Sequence, residues 1–175
     1  MSKLKYKLPF VLLLMMYCVC SNAQTSDSLL NQLAVKWQNS KTYTLKMAEL
    51  MPEEAYGFKP VADQMSYGEQ LLHIANNMFW LSSDFLLGNK LDKQTNTHPS
   101  KKEIINIVSA AYDSGLASHH RLTTAQLDEM VKFFAGPKTR RQILVLMHDH
   151  QTHHVGQLIV YLRLKGIKPP GYVGW

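Results

Sequence analysis

Apolar residues recur at steps of three and four along four long stretches of the chain, and short polar clusters carrying proline or glycine divide them. That period places each apolar set along one face of an α-helix, the pattern of helices that pack side by side. The first stretch, Gln24 to Met51, carries Leu30, Leu33, Trp37, Ser40, Thr44, Met47 and Met51 on one stripe. Ser26 or Asp27 can cap its start, and Pro52 stops it. Glu53 to Met65 contains Gly57 and Phe58-Lys59-Pro60 and reads as a loop held by Tyr56 and Phe58. Ser66-Tyr67-Gly68-Glu69 has the form of a capping box, in which serine and glutamate satisfy each other's backbone amides. The helix it opens carries Leu71, Leu72, Ile74, Met78, Phe79 and Leu81, and Gly88-Asn89 end it.

Lys90 to Pro99 is a polar linker. A second capping box, Ser100 to Glu103, opens a helix with Ile104, Ile105, Val108, Ala111, Tyr112, Leu116 and His119 on its apolar side. Leu122 to Met130 is weakly patterned, with a short helix over Thr124 to Val131, and Phe133-Phe134-Ala135-Gly136-Pro137 is a turn with two apolar anchors. A third box, Thr139 to Gln142, starts a last helix that runs to Lys165 with Gly166 at its C-cap. Arg163 and Lys165 suit the negative end of that helix, and Ile167 to Tyr172, with two prolines, is a rigid non-helical tail. No internal repeat and no convincing period-two run appears. The expectation is an all-α fold, a four-helix bundle.

The first 23 residues do not belong to that pattern. Lys3, Lys5 and Lys7 precede a short apolar run, Leu8 to Cys20, and Ser21-Asn22-Ala23 offers the small residues of a cleavage site. This is the layout of a cleavable signal peptide, and the run is short for a membrane span. The reading is a leader over 1–23 and one domain over 24–175. The product would be exported, periplasmic or secreted, with no stable membrane insertion after cleavage. Both cysteines of the chain, Cys18 and Cys20, fall in the leader, which leaves the domain without thiol or disulfide chemistry. So do three of its nineteen basic residues and none of its thirteen acidic ones, leaving a formal charge of +3. That mild charge, without a basic stripe interleaved with aromatics, argues against nucleic acid as a partner. Trp37 and Phe133 could serve a homodimer interface or the core equally well.

Candidate chemistry lies in the histidines. Four of the eight, His148, His150, His153 and His154, fall within seven residues of the last helix. His150 and His154 are four apart, hence stacked on the face that also carries Ile143, Met147, Gln157 and Tyr161. His148 points nearly the other way and His153 lies on the flank. Two histidines at this spacing can share a metal ion, or can be two hydrogen-bonded side chains at the edge of a bundle. Position 151 is Gln, so the zinc-protease helix with its built-in glutamate base is absent, and a third ligand must come from elsewhere. His73 lies inside the apolar run of the second helix, with Gln70, Asn77 and Trp80 at helical spacing, and needs a polar partner there. His119 and His120 diverge by about 100° and, at a helix end, read as solvated; His98 reads as a linker residue.

Ser66 and His73, the late His150-x3-His154 followed by Gly156-Gln157, and the ending Tyr161-Leu162-Arg163-x-x-Gly166-x-x-Pro169-Pro170 together resemble the DinB-like (YfiT-like) family. The resemblance spans nearly the whole domain. It implies a four-helix bundle with a three-histidine site for a divalent metal, Zn²⁺ or Ni²⁺ most often, held here by His73, His150 and His154. Asn77, Gln157 and Tyr161 are candidates for groups that orient those rings. Val155 departs from the pattern, since many relatives have arginine there. The family's better understood members resemble transferases or isomerases that use a small thiol. Two classes of function follow: a metal-dependent transferase or hydrolase acting on a small molecule, or a non-catalytic bundle that binds metal or a small ligand.

Overall fold

Four long helices arise where the apolar stripes lie, because each stripe can leave water only against the others. The computed structural model describes the backbone of residues 7–89 and 99–174, and the side chains of these residues from 29 onward. Helix α1 spans Lys7–Leu50, α2 Tyr67–Trp80, α3 Lys101–Arg121 and α5 Arg140–Leu164; a short α4, Thr124–Leu127, and a two-stranded hairpin, β1 Met130–Val131 and β2 Lys138–Thr139, join α3 to α5. The long helices pack in a ring in which α3 touches α1 and α2, and α5 touches α2 and α1. Trp37, Met47, Met51, Tyr67, Leu71, Ile74, Met78, Val108, Tyr112, Ile143, Met147 and Leu158 fill the centre with no exposed surface. The fold is all-α. No described helix is long and apolar enough to cross a membrane.

The three capping boxes start their helices as the sequence indicates. Ser66 N–H donates to Glu69 at 2.6 Å and Glu69 N–H to the Ser66 hydroxyl at 3.3 Å, and Ser100–Glu103 and Thr139–Gln142 repeat the exchange. A fourth, Thr123–Gln126, opens α4 and went unread in the sequence. α1 runs straight through Ser26 and Asp27, so neither residue caps a helix start there. The leader segment 1–23 and the linker residues 90–98, His98 among them, carry no described side chains.

Two elements differ from the pattern reading. The second helix widens into a π-helical turn over Leu81–Leu87, where the hydroxyls of Ser82 and Ser83 both donate to the Phe79 carbonyl, before Gly88 ends it at φ 71°. Serines that bond back to the preceding turn loosen a helix, which accounts for the widening. The expected short helix over Thr124 to Val131 stops at Leu127, and Met130 and Val131 instead pair antiparallel with Thr139 and Lys138. A ladder of two residues is too short to print a period in sequence. Its turn carries Gly136 at φ 92°, a left-handed conformation glycine adopts without strain. Trp37 and Phe133, open to a dimer reading before, are 0% and 7% exposed and belong to the core of the single chain.

Candidate metal centre

α2 and α5 run antiparallel, since Met65 lies by Tyr161, Gln70 by Gln157 and His154, and His73 by His150. Antiparallel packing brings His73 between the two α5 histidines. Ring centroids are 4.9 Å apart for His73–His150, 4.5 Å for His73–His154 and 4.5 Å for His150–His154, and one nitrogen from each falls within 4.8 Å of the others. The site is graded: His154 is buried, His150 half-buried, and His73 lies at the open edge.

The nitrogen geometry carries the chemistry. His73 Nε2 and His150 Nε2 face each other at 3.1 Å. Two imidazoles bound to one tetrahedral ion at about 2.1 Å hold their nitrogens about 3.4 Å apart, so the observed gap is close to that of a shared cation. His150 Nδ1 is buried without a hydrogen-bond partner among the described residues. The third ring is fixed from behind. His154 Nδ1–H donates to Gln70 Oε1 at 2.8 Å, which leaves Nε2 with its lone pair. The Gln70 amide in turn donates to Gln157 Oε1, and Gln157 Nε2–H donates to His153 Nε2 at 2.9 Å. Every donor in this relay meets an acceptor, so one tautomer of His154 is selected. Burial, reinforced by the neighbouring histidines, lowers both His150 and His154 to about 4. Both are therefore neutral at pH 7, the form in which imidazole binds a metal. The cluster has the donor set and spacing to hold a divalent ion.

Of the supporting residues read from spacing, Gln157 enters this relay at one remove from His154. Tyr161 does not approach the rings: it is 3% exposed and its hydroxyl donates to the Met65 carbonyl at 2.6 Å, which ties the loop before α2 to α5. Asn77 Oδ1 is buried without a hydrogen-bond partner among the described residues and bonds none of the three rings. The residue that does orient a ring, Gln70, is 0% exposed. Its sequence signal was a lone amide on the apolar side of α2, three residues before His73.

His119 and His148 form a second histidine contact that the sequence did not indicate. His119, read as solvated, is 3% exposed, and its Nδ1–H donates to the Gly115 carbonyl at 2.8 Å. Its Nε2 accepts from His148 Nε2–H at 2.8 Å, under the ring of Trp37. Burial, with the charges of His119 and Lys36 adding, lowers His148 to about 3, and burial lowers His119 as well. A Cβ on Gly115 would fall 2.4 Å from the Trp37 ring, so glycine is what admits the indole here. Trp37 Nε1–H donates to the Tyr112 carbonyl at 2.8 Å, which holds the indole in place.

The bundle and its inward three-histidine cluster define a class: helical proteins with a histidine cluster between two antiparallel helices that could hold a divalent metal ion. The model of the DinB family matches residues 22–174, and the chain belongs to that family. It is 27% identical over 140 residues to the uncharacterized protein YjoA of Bacillus subtilis, covering 78% of this chain and 90% of YjoA. The crystal structure of YjoA, a DinB-like protein, superposes with a TM-score of 0.68 at 24% identity over 81% of this chain and 96% of that one. A DinB-like protein from Bacillus cereus superposes with a TM-score of 0.66 at 23% identity, over 78% of this chain and 93% of the other. These two superpositions support the fold.

Proposed function

We propose that the chain is an exported metalloenzyme in which His73, His150 and His154 hold one Zn²⁺ or Ni²⁺ ion and which acts on a small molecule as a transferase or hydrolase. The convergence of three imidazoles at an edge open to solvent carries this reading. Three donors leave positions for water or substrate, the arrangement of a catalytic rather than a closed structural site. A bound divalent ion supplies Lewis acidity, holding water or a thiol in its nucleophilic, deprotonated form near neutral pH. The protein's share is orientation: Gln70 keeps the proton of His154 on Nδ1, and Gln157 fixes Gln70. Export rests on the lysine-rich leader and the Ser-Asn-Ala site.

The domain made without a polyhistidine tag is expected to take up about one equivalent of Zn²⁺ or Ni²⁺. The loaded protein should hydrolyse an activated ester, or join a thiol to an electrophile, faster than the stripped protein. Metal uptake with neither reaction would make it a binding protein, and no uptake below high micromolar metal would end the reading. Native protein that begins at Met1 rather than Gln24 on N-terminal sequencing would remove export.

A further inference from the structure

The hairpin that joins α4 to α5 alternates in burial. Val131 and Phe133 turn toward the bundle, while Met130, Lys132 and Phe134 turn out, Met130 at 61% exposure and Phe134 at 82%. Extended backbone sends successive side chains to opposite sides, so the outer row reads apolar, cationic, apolar. Phe134, one of the two apolar anchors expected of this turn, is therefore not an anchor. It stacks on the partly exposed Trp80 with ring centroids 6.0 Å apart and 29° between the planes. Apolar residues scattered singly over a surface are ordinary. Two adjoining exposed aromatics, backed by Phe133 and Phe85, form a patch.

The charge beside this patch is positive. Asp128 and Glu129 are taken by Arg141 at 2.8 Å and Arg140 at 3.3 Å. Lys132 has no carboxylate partner among the described residues, and Lys138 donates only to the Ala135 carbonyl, at 3.3 Å. Asp84, exposed on the π-helical turn after Trp80, opposes the two lysines and leaves the tip positive.

The patch also lies at a particular end of the bundle. α1 and α3 run antiparallel, since Lys101 Nζ donates to the Met51 carbonyl, Lys41 pairs with Asp113, and Trp37 lies against His119. The start of the packed part of α1 therefore lies by the last turn of α3, and α4, which leads into the hairpin, packs on α1. The apolar run Leu8 to Cys20 precedes that part of α1 in sequence. On the reading of residues 1–23 as an export leader, the chain comes off the bilayer at this same end.

We propose that the hairpin tip is a docking surface for a lipid bilayer that carries anionic headgroups. Phe134, Met130 and the open edge of Trp80 enter the boundary between headgroups and acyl chains, and Lys132 and Lys138 face the headgroup phosphates. Binding is peripheral and reversible. A second copy fits this face less well. A two-fold contact would set the positive tip against itself, and three partly exposed side chains fall short of the about 800 Å² that each partner of a stable dimer buries.

The leader is apolar enough to hold lipid by itself, so the test reads insertion at Trp80. The full chain carrying Trp175→Phe is mixed with vesicles of phosphatidylcholine and phosphatidylglycerol with brominated acyl chains, which quench indoles at acyl depth. Trp37 is 0% exposed and stays out of reach of the lipid. Trp80 fluorescence should be quenched, and less so at high salt or with phosphatidylcholine alone. Phe134→Ser, a change at an exposed site, should cut the quenching by about half or more, and Lys132→Glu should lower it too. No quenching in the wild type would overturn the proposal, as would equal quenching in Phe134→Ser. Equal quenching in Lys132→Glu and on phosphatidylcholine alone would overturn the assignment to anionic lipid. Dimerisation without lipid that Phe134→Ser abolishes would give the patch to a second copy and overturn it as well.

Discussion

Helix α5 carries two histidine clusters on opposite sides, and their histidines at 148 and 150 are only two residues apart. Both clusters contain a close Nε2–Nε2 contact, 3.1 Å for His73–His150 and 2.8 Å for His119–His148. Both hold histidines that burial keeps neutral. What separates them is the third ring and the way out. His154 joins His73 and His150 with its tautomer set from behind, and His73 lies at the open edge. His119 and His148 have no third donor in range among the described residues, and Trp37 lies against both rings. In the pair, the tautomers set by Gly115 let one imidazole donate to the other, so the contact is a hydrogen bond. Proximity of histidines therefore does not make a metal site; convergent lone pairs with an access route do.

The largest contrast should come from removing one ring on each side. His73→Ala, His150→Ala and His154→Ala should each weaken Zn²⁺ binding by more than about 100-fold, beyond what loss of an orienting group costs. His148→Ala should leave affinity within a few-fold while lowering the melting temperature. Competition with a chromophoric chelator reads the first and a thermal melt the second. Equal loss of metal in His148→Ala would erase the distinction drawn here.

Acid should expose the sealed pair next. Its histidines titrate in the folded state well below their ordinary 6.5, so the unfolded chain takes up protons first as pH falls. Stability is then full above about pH 6.5 and declines below it, by about 2 kcal/mol at pH 5 for His148 alone. Replacing both His119 and His148 by leucine removes donor and acceptor together and should cost little at pH 7. Metal-free protein carrying that double change should lose less stability between pH 7 and pH 5 than the wild type does. Identical acid slopes in denaturant titrations would show that the pair is not held neutral.

The smallest effect belongs to the relay behind His154. Gln70→Ala should weaken metal binding by about 10- to 100-fold, through the orientation and basicity of a ring it touches rather than through a lost ligand. Gln70→Glu should retain more affinity, because a carboxylate still accepts from His154 Nδ1–H. A Gln70→Ala protein that binds metal like the wild type would reduce this amide to packing.

The helices and the α5 half of the site were legible because they depend on local spacing. Capping boxes and a 3.6-residue period act within one turn of the chain, and His150 and His154 share a face for the same reason. Membership of His73 in the same cluster was legible only through its misfit, a polar ring among apolar neighbours, and through the family resemblance. The π-helical turn and the hairpin were not legible. Each turns on a few atoms, two serine hydroxyls in one case and a two-residue ladder in the other, too few to leave a pattern.

Sequence by itself determined the all-α architecture, the ends of most helices, and which face of α5 turns toward a partner helix. Tertiary structure alone decided which partner each inward polar group met. Gln70 and Tyr161 lie on equally inward stripes, yet Gln70 meets His154 while the Tyr161 hydroxyl meets the Met65 carbonyl. His119 looked like a helix-end residue open to water until Gly115 admitted Trp37 and α5 brought His148 against it. The physical reason is range. Periodicity fixes a direction about a helix axis, but a hydrogen bond or a shared ion needs atoms placed to within a few tenths of an ångström, and that placement comes from the packing of helices distant in sequence.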